Sequence, residues 1–195
     1  MYFFTSDTHF GSDPFLRREI RPFKTHQEYK EYQLKVWNSQ AGANDKIFHL
    51  GDFLNYNKSE KTGWEDVLEI PKEVIAPIVL IVGNNEERVV QECFGGDFAA
   101  FRNFCLERGF KDVKHGMYLT FRGERFFLNH FPSLHKDDAI NLFGHVHRIT
   151  GLYKPYGFNV SADLNHFFLL SEDYIFHLID EREKYWDDDV DVQSV

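Results

Sequence analysis

Five short apolar runs in this chain each end on side chains able to bind a metal ion. Tyr2 to Ser6 leads into Asp7-Thr8-His9, and Lys46 to Leu50 into Gly51-Asp52. Val74 to Val82 leads into Gly83-Asn84-Asn85-Glu86, and Arg125 to Asn129 into His130. Ala139 to Phe143 leads into Gly144-His145-Val146-His147. Apolar runs of about 4–8 residues bounded by turn formers predict buried strands. Open α/β sheets hold their ligands beyond the carboxyl ends of such strands. Asp7 and His9, at i and i+2, fall on one side of an extended backbone and can reach one ion.

Between these runs the pattern changes to helical spacing. Thr25 to Gln40 reads as an amphipathic helix, with Thr25 as N-cap, Glu28 completing a capping box, and Tyr29, Tyr32, Val36 and Trp37 on one face. A short helix is predicted over Trp64 to Leu68, a second from Glu86 to about Cys93, and a third from Asp97, its cap, to about Arg108. Asn84 and Asn85, ahead of two glutamates, can also cap the helix that follows them. Phe10 to Pro14 and Asn55 to Gly63 read as loops. Met117 to Phe121 pairs with Arg125 to Asn129 as a hairpin. Tyr153 to Asn159, Phe167 to Leu170 and Ile175 to Ile179 are predicted as later strands. Residues 1–185 are expected to form one domain, and the acidic stretch 186–195 a disordered tail.

A hydrophobic fraction of 43% supports a globular core, and no apolar run reaches the roughly 20 residues of a membrane helix. The net charge of −9 argues against broad binding to duplex nucleic acid, which needs a basic footprint. It does not oppose an anionic substrate at a metal site, because bound cations supply their own charge. Two cysteines, Cys93 and Cys105, give no disulfide framework and predict a reducing, cytoplasmic setting.

The strand-end groups are Asp7, His9, Asp52, Asn84, His130, His145 and His147. Two carboxylates, an amide and four imidazoles hold too much nitrogen for calcium and too much oxygen for a structural zinc site. They suit two divalent transition metals sharing Asp52: Mn²⁺ first, with Fe²⁺, Zn²⁺, Ni²⁺ or Co²⁺ also compatible. Such a pair, about 3.5–4 Å apart, makes a hydroxide near neutral pH and clamps the oxygens of a phosphoryl group. Arg17, Arg18, Arg88 and Arg148 lie near these loops as candidates for binding the remaining phosphate oxygens. Phe10, Phe53 and Phe131 can stack a base or fill the core, and Asn159 and Asp163 can support the site. His49 is expected in the core, with His26, His115, His166 and His177 on the surface.

The ordered blocks Asp-x-His, Gly-Asp, Gly-Asn-x-Glu, His and Gly-His-x-His resemble the calcineurin-like metallophosphoesterase superfamily, and Ser6-Asp7-Thr8-His9-Phe10-Gly11 its small bacterial and phage members. The resemblance spans roughly Met1 to Ile179. It implies a four-layer α/β/β/α sandwich of two mixed sheets flanked by helices. It also implies one metal on Asp7, His9, Asp52 and His147, and a second on Asp52, Asn84, His130 and His145. The implied activity is phosphoester hydrolysis, with diesters of small nucleotide-type substrates favoured. One position departs from the pattern: Asn85 stands where the family has a histidine that protonates the leaving oxygen. An amide donates a hydrogen bond and gives up no proton. His135, five residues past His130, is a candidate replacement acid. A weakened or inactive protein serving as a binding module is the alternative.

Overall fold

The computed structural model describes residues 1–19, 21–57, 63–149 and 153–185. The expected disordered tail, 186–195, lies outside them. Two five-stranded sheets form. The first has the order β10-β1-β2-β3-β4, from β1 (Tyr2–Thr5), β2 (Lys46–His49), β3 (Ile78–Ile81), β4 (Asp112–Lys114) and β10 (Leu170–Ser171). The second has the order β5-β6-β7-β9-β8, from β5 (Met117–Phe121), β6 (Glu124–Leu128), β7 (Ile140–Phe143), β8 (Tyr153–Lys154) and β9 (Gly157–Asn159). Both are mixed. β1 to β4 run parallel with β10 antiparallel, and β6, β7 and β9 run parallel between antiparallel edges.

The helices are α1 (Asp13–Arg18), α2 (His26–Gln40), α3 (Trp64–Val67), α4 (Asn84–Cys93), α5 (Phe98–Glu107) and α6 (Glu172–Tyr185). Thr25 caps α2 by accepting from the Glu28 N–H, and Asp97 caps α5 by accepting from Ala100. Alternation sorts the strand side chains into two cores. Phe4, Phe48, Val79 and Ile81 face Phe126, Leu128, Leu142 and Phe158 between the sheets. Phe3, Ile47, Ile78 and Leu80 pack the other face of the first sheet, against Trp37, Val89 and Phe101. Two mixed sheets flanked by helices are therefore the architecture. Among the described residues no helix is long and apolar enough to cross a membrane.

Several expected elements differ. Ile175 to Ile179 lies within α6, where Ile175, Leu178 and Ile179 are buried at helical spacing. Tyr153 to Asn159 is a hairpin of two short strands rather than one. Of Phe167 to Leu170 only Leu170 joins a strand, because His166 and Phe167 adopt positive φ. Val74 to Val82 becomes extended pairing only at Ile78, beyond Pro77. Helix α1 starts inside the expected loop Phe10 to Pro14, and no helix was expected there: Ser12 caps it by accepting from the Phe15 N–H, and Pro14 in its first turn has no N–H to lose. Strand β4 is three residues at a sheet edge, too short to leave a periodic signal.

Beyond the core they share, the two sheets are linked through the backbone at their carboxyl ends. Ser6, just past β1, bridges Ser161, just past β9, in parallel register. Around that junction the carboxyl ends of β1, β2, β3, β6 and β7 all deliver their loops.

Candidate metal centre

The loops after β1 and β2 are laced together through their backbones. Asp7 N donates to Gly51 O, His9 N to Asp52 O, and Phe10 N to Phe53 O, each at 2.9 Å. Asp7, His9, Asp52, His145 and His147 all take positive φ, between 44° and 72°. This backbone region is uncommon for non-glycine residues and clusters at functional sites. Asp7 and His9 thus reach a common point through left-handed turns, and not through the extended i, i+2 geometry expected from the sequence. Gly144 is required by close approach, since a Cβ there would collide with Ser6 Oγ and Asp7 Oδ2.

The seven strand-end side chains form two groups that meet at Asp52. On one side, His9 Nε2 is 3.5 Å from Asp52 Oδ2 and 3.2 Å from His147 Nε2, and His147 Nε2 is 3.6 Å from Asp7 Oδ1. On the other, His130 Nε2 is 3.7 Å from Asp52 Oδ1 and 3.2 Å from Asn84 Oδ1, and His145 Nδ1 is 3.0 Å from the same Asn84 oxygen. Asn84 and Asn85 open α4, whose N-cap is Gly83, so neither serves as the cap.

The donor set fits metal ions. His130 Nδ1 donates to Leu50 O at 2.8 Å, and His147 Nδ1 to Asp163 Oδ2 at 2.7 Å. Each ring therefore turns an Nε2 lone pair inward. Those lone pairs face carboxylate and amide oxygens, so acceptors face acceptors and a cation is the partner that resolves the repulsion. Spacings of 3.0–3.9 Å are close to what donors on a common ion show with bonds of about 2.0–2.2 Å.

The electrostatics agree. Burial, then the Asp7 carboxylate, pushes Asp52 up to about 7. Burial also lowers His9 well below the usual imidazole range, helped by Arg21 and His147. His145 is lowered by burial and His130. His147 goes the other way: burial opposes its charge, but the Asp163 hydrogen bond and Asp7 outweigh it and raise it.

Two buried groups hold the loops in place. Glu86 accepts from the N–H groups of Gly83, Asp52, Phe53 and Leu54 at 2.8–3.3 Å, and burial beside Asp52 pushes it up to about 7. Arg21 forms a fork onto Asp163, with Nε and Nη2 each 2.8 Å from a carboxylate oxygen, and also donates to the Asp7 and Thr8 carbonyls. Asn159 donates to His147 O at 2.8 Å. Asp163 and Asn159 thus support the site as the sequence suggested. Arg21 was missed, because an arginine in a polar stretch reads as surface.

A cavity of about 650 Å³ opens over the site, lined among others by His9, Asp52, Asn84, Asn85, His145 and His147. Arg18 and Arg88 line it, whereas Arg17 and Arg148 do not. Arg148 instead places Nη2 3.7 Å from Asp163. His135 does not reach the cavity: the 3-10 turn Pro132–Leu134 carries the chain away, and its exposed ring stacks on Tyr156 at 4.1 Å. Phe10 and Phe53 are fully buried. Phe131 packs on His130 and His145, so it reaches the site edge. His49 is a core residue bonded to Thr8 Oγ1 at 3.0 Å. His115, His166 and His177 are exposed, and His26 is half-buried, accepting from Gly11 N at 2.9 Å.

The sequence profile of the calcineurin-like phosphoesterases matches residues 2–191. No curated protein matches the chain. Among solved structures, a protein of unknown function from Aquifex aeolicus is similar at 20% identity and a TM-score of 0.67, covering 91% of this chain and 98% of its own. YfcE, a phosphoesterase from E. coli, is matched at 20% identity over 82% of this chain and 77% of its own, with a TM-score of 0.42.

Two outcomes are expected of this geometry. Asp163→Asn keeps an acceptor for His147 but removes the charge behind it. Mn²⁺ calorimetry should then show one of two sites weakened by about 10–100-fold and the other little changed. Equal affinities to wild type at both sites would contradict the role given to Asp163. The second outcome concerns pH. Asp52 titrates higher folded than unfolded, so its stabilising contribution is present below about pH 4 and lost as pH rises through about 7. Metal-free Asp52→Asn should therefore melt above metal-free wild type at pH 8, with the gap closing towards pH 5. A gap independent of pH would contradict it.

Proposed function

Because the chain belongs to the calcineurin-like phosphoesterase family, we propose that it is a dinuclear-metal phosphoesterase whose preferred substrates are small, nucleotide-type phosphodiesters. The observation that carries this reading is the meeting of the two donor groups on the opposite oxygens of Asp52. Asp7, His9, Asp52 and His147 would hold one ion, and Asp52, Asn84, His130 and His145 the other, with Mn²⁺ the favoured metal. Bound there, the ions would supply the positive charge that holds a phosphate and activates water for attack on it.

The remaining steps belong to the chain. Glu86 and Arg21 fix the loops, so little reorganisation is needed when substrate enters. Arg88 lines the cavity and makes no hydrogen bond or ion pair among the described residues, so it is available to a phosphate oxygen. Arg18, exposed, paired with its neighbour Glu19 at 3.1 Å and lying over the Phe15 ring, also lines the cavity and can serve there. The cavity suits a nucleotide-sized substrate better than a long polymer, in keeping with the acidic net charge. An inactive binding protein is favoured only by Asn85, and it predicts bound metal without turnover.

Bis-p-nitrophenyl phosphate tests the reading, since its leaving group scarcely needs a proton. Turnover should be abolished by EDTA and restored by Mn²⁺. No turnover from protein shown to hold two metal ions would contradict it and leave the binding reading.

A further inference from the structure

His135 belongs to a second cavity, at the other end of the second sheet. This cavity holds about 410 Å³ and is lined among others by His135, Lys136, Asp137, Ile140, Tyr156 and Arg182. The metal-centre residues His130 and His145 follow the carboxyl ends of β6 and β7, whereas Lys136 and Tyr156 precede the amino ends of β7 and β9. The length of β7 therefore separates the two places, and none of the residues lining one cavity lines the other.

The loops that wall this cavity are fixed by one buried amide. Asn141 Oδ1 accepts from Lys136 N at 2.7 Å, and Nδ2 donates to the carbonyls of Lys136, Ala139 and Tyr156 at 2.8–2.9 Å. His135 is held as well: Nδ1 donates to Pro132 O at 3.1 Å, and the ring stacks on Tyr156. Walls tied in this way need little ordering to receive a ligand.

The cavity gathers cations in a chain whose net charge is −9. The side chains of Lys136 and Arg182 form no hydrogen bond or ion pair with a described residue. Each rests on a buried ring instead: Lys136 Nζ is 5.5 Å from the centre of Phe127, and Arg182 Cζ is 5.4 Å from that of Phe158. The rings hold the two charges in place and leave their N–H groups uncommitted. The Tyr156 hydroxyl also makes no hydrogen bond to a described residue. The carboxylate on the wall, Asp137, is fully exposed and lies 3.6 Å from His135 Nε2.

We propose that this cavity is a second anion site, separate from the metal centre, which binds a phosphate group through Lys136, Arg182 and Tyr156. A phosphate monoester carries a charge of about −1.5 to −2 near pH 7 and three strong acceptor oxygens. Arg182 offers it a planar fork of donors, Lys136 a compact charge and Tyr156 a hydroxyl. The volume admits a mononucleotide as well as free phosphate. No residue of the metal centre takes part, so the site stands apart from the phosphoesterase reading.

The test is an NMR titration of the full chain, loaded with diamagnetic Zn²⁺, at about 0.15 M salt. The signals followed are the His135 ring and the Asn141 side-chain amide, which report on this cavity and not on the metal centre. Inorganic phosphate, adenosine monophosphate and adenosine are added in separate runs, with phosphorus NMR checking that the nucleotide stays intact. Phosphate and the nucleotide should shift both signals along a saturating curve, half complete below about 5 mM, and adenosine should not. Equal affinities make the phosphate group the whole ligand, and a nucleotide bound about tenfold tighter makes the ligand a nucleotide. Arg182→Gln should weaken phosphate binding at least about tenfold, as loss of a charged hydrogen bond does, and leave melting and nitrophenyl ester turnover as in wild type. Asp52→Asn, checked by melting to be folded, should leave the phosphate-induced shifts unchanged. A response that does not saturate, equal shifts with adenosine, or Arg182→Gln within about twofold of wild type overturns the proposal. So does loss of the shifts in folded Asp52→Asn, which would place the phosphate at the metal centre. Each of these failures leaves the phosphoesterase reading standing, and failure of that reading leaves this site to be judged by its own titration.

Discussion

The structure depends on the repulsion among acceptor atoms around Asp52. Imidazole lone pairs, an amide oxygen and two carboxylates point at one another across less than 4 Å at the floor of the cavity, with Asp7, His9, Asp52 and His130 buried. Left to itself, such a cluster would separate or take up protons, and the raised position of Asp52 reflects that tendency. The surrounding fold spends its hydrogen bonds on preventing separation. Glu86 gathers four backbone N–H groups from two loops, and Arg21 fastens the Asp7–Thr8 carbonyls to the Asp163 that orients His147. Neither residue lines the cavity, yet both fix where the inward-facing atoms point.

The sheets contribute direction. Parallel strands place successive loops on the same edge, and the Ser6–Ser161 bridge joins the edge of one sheet to that of the other. Residues far apart in the chain, such as His9 and His147, meet there. The price is backbone strain, concentrated in the five donors with positive φ.

Much of this was legible in the sequence for a physical reason. A strand that must be buried on both faces reads as an apolar run, and a turn at its end must be polar. The order of run and turn therefore marked the carboxyl edge, and the seven side chains that gather around Asp52 were named from it. What escaped depended on tertiary contact. Ile175 to Ile179 is apolar enough for either a strand or a buried helix turn, and only packing against the inter-sheet core decides. Helix α1 hid behind a Gly-Ser-Asp-Pro signature that also marks turns. Arg21 could be recognised only once Asp163 was seen opposite it, 142 positions away. The reach of His135 was overestimated because nearness in sequence does not survive a Pro-initiated 3-10 turn.

Asp52 sits where the two donor groups meet, and its carboxylate accepts the Asn85 backbone N–H at 2.9 Å. The claim on which the rest stands is that Asp52 is shared. It is tested most directly by anomalous diffraction from crystals of the protein grown with Mn²⁺. Two peaks about 3.5–4 Å apart, each bonded to a different oxygen of Asp52, are the predicted result. A single peak, or two peaks of which one does not touch Asp52, would contradict it.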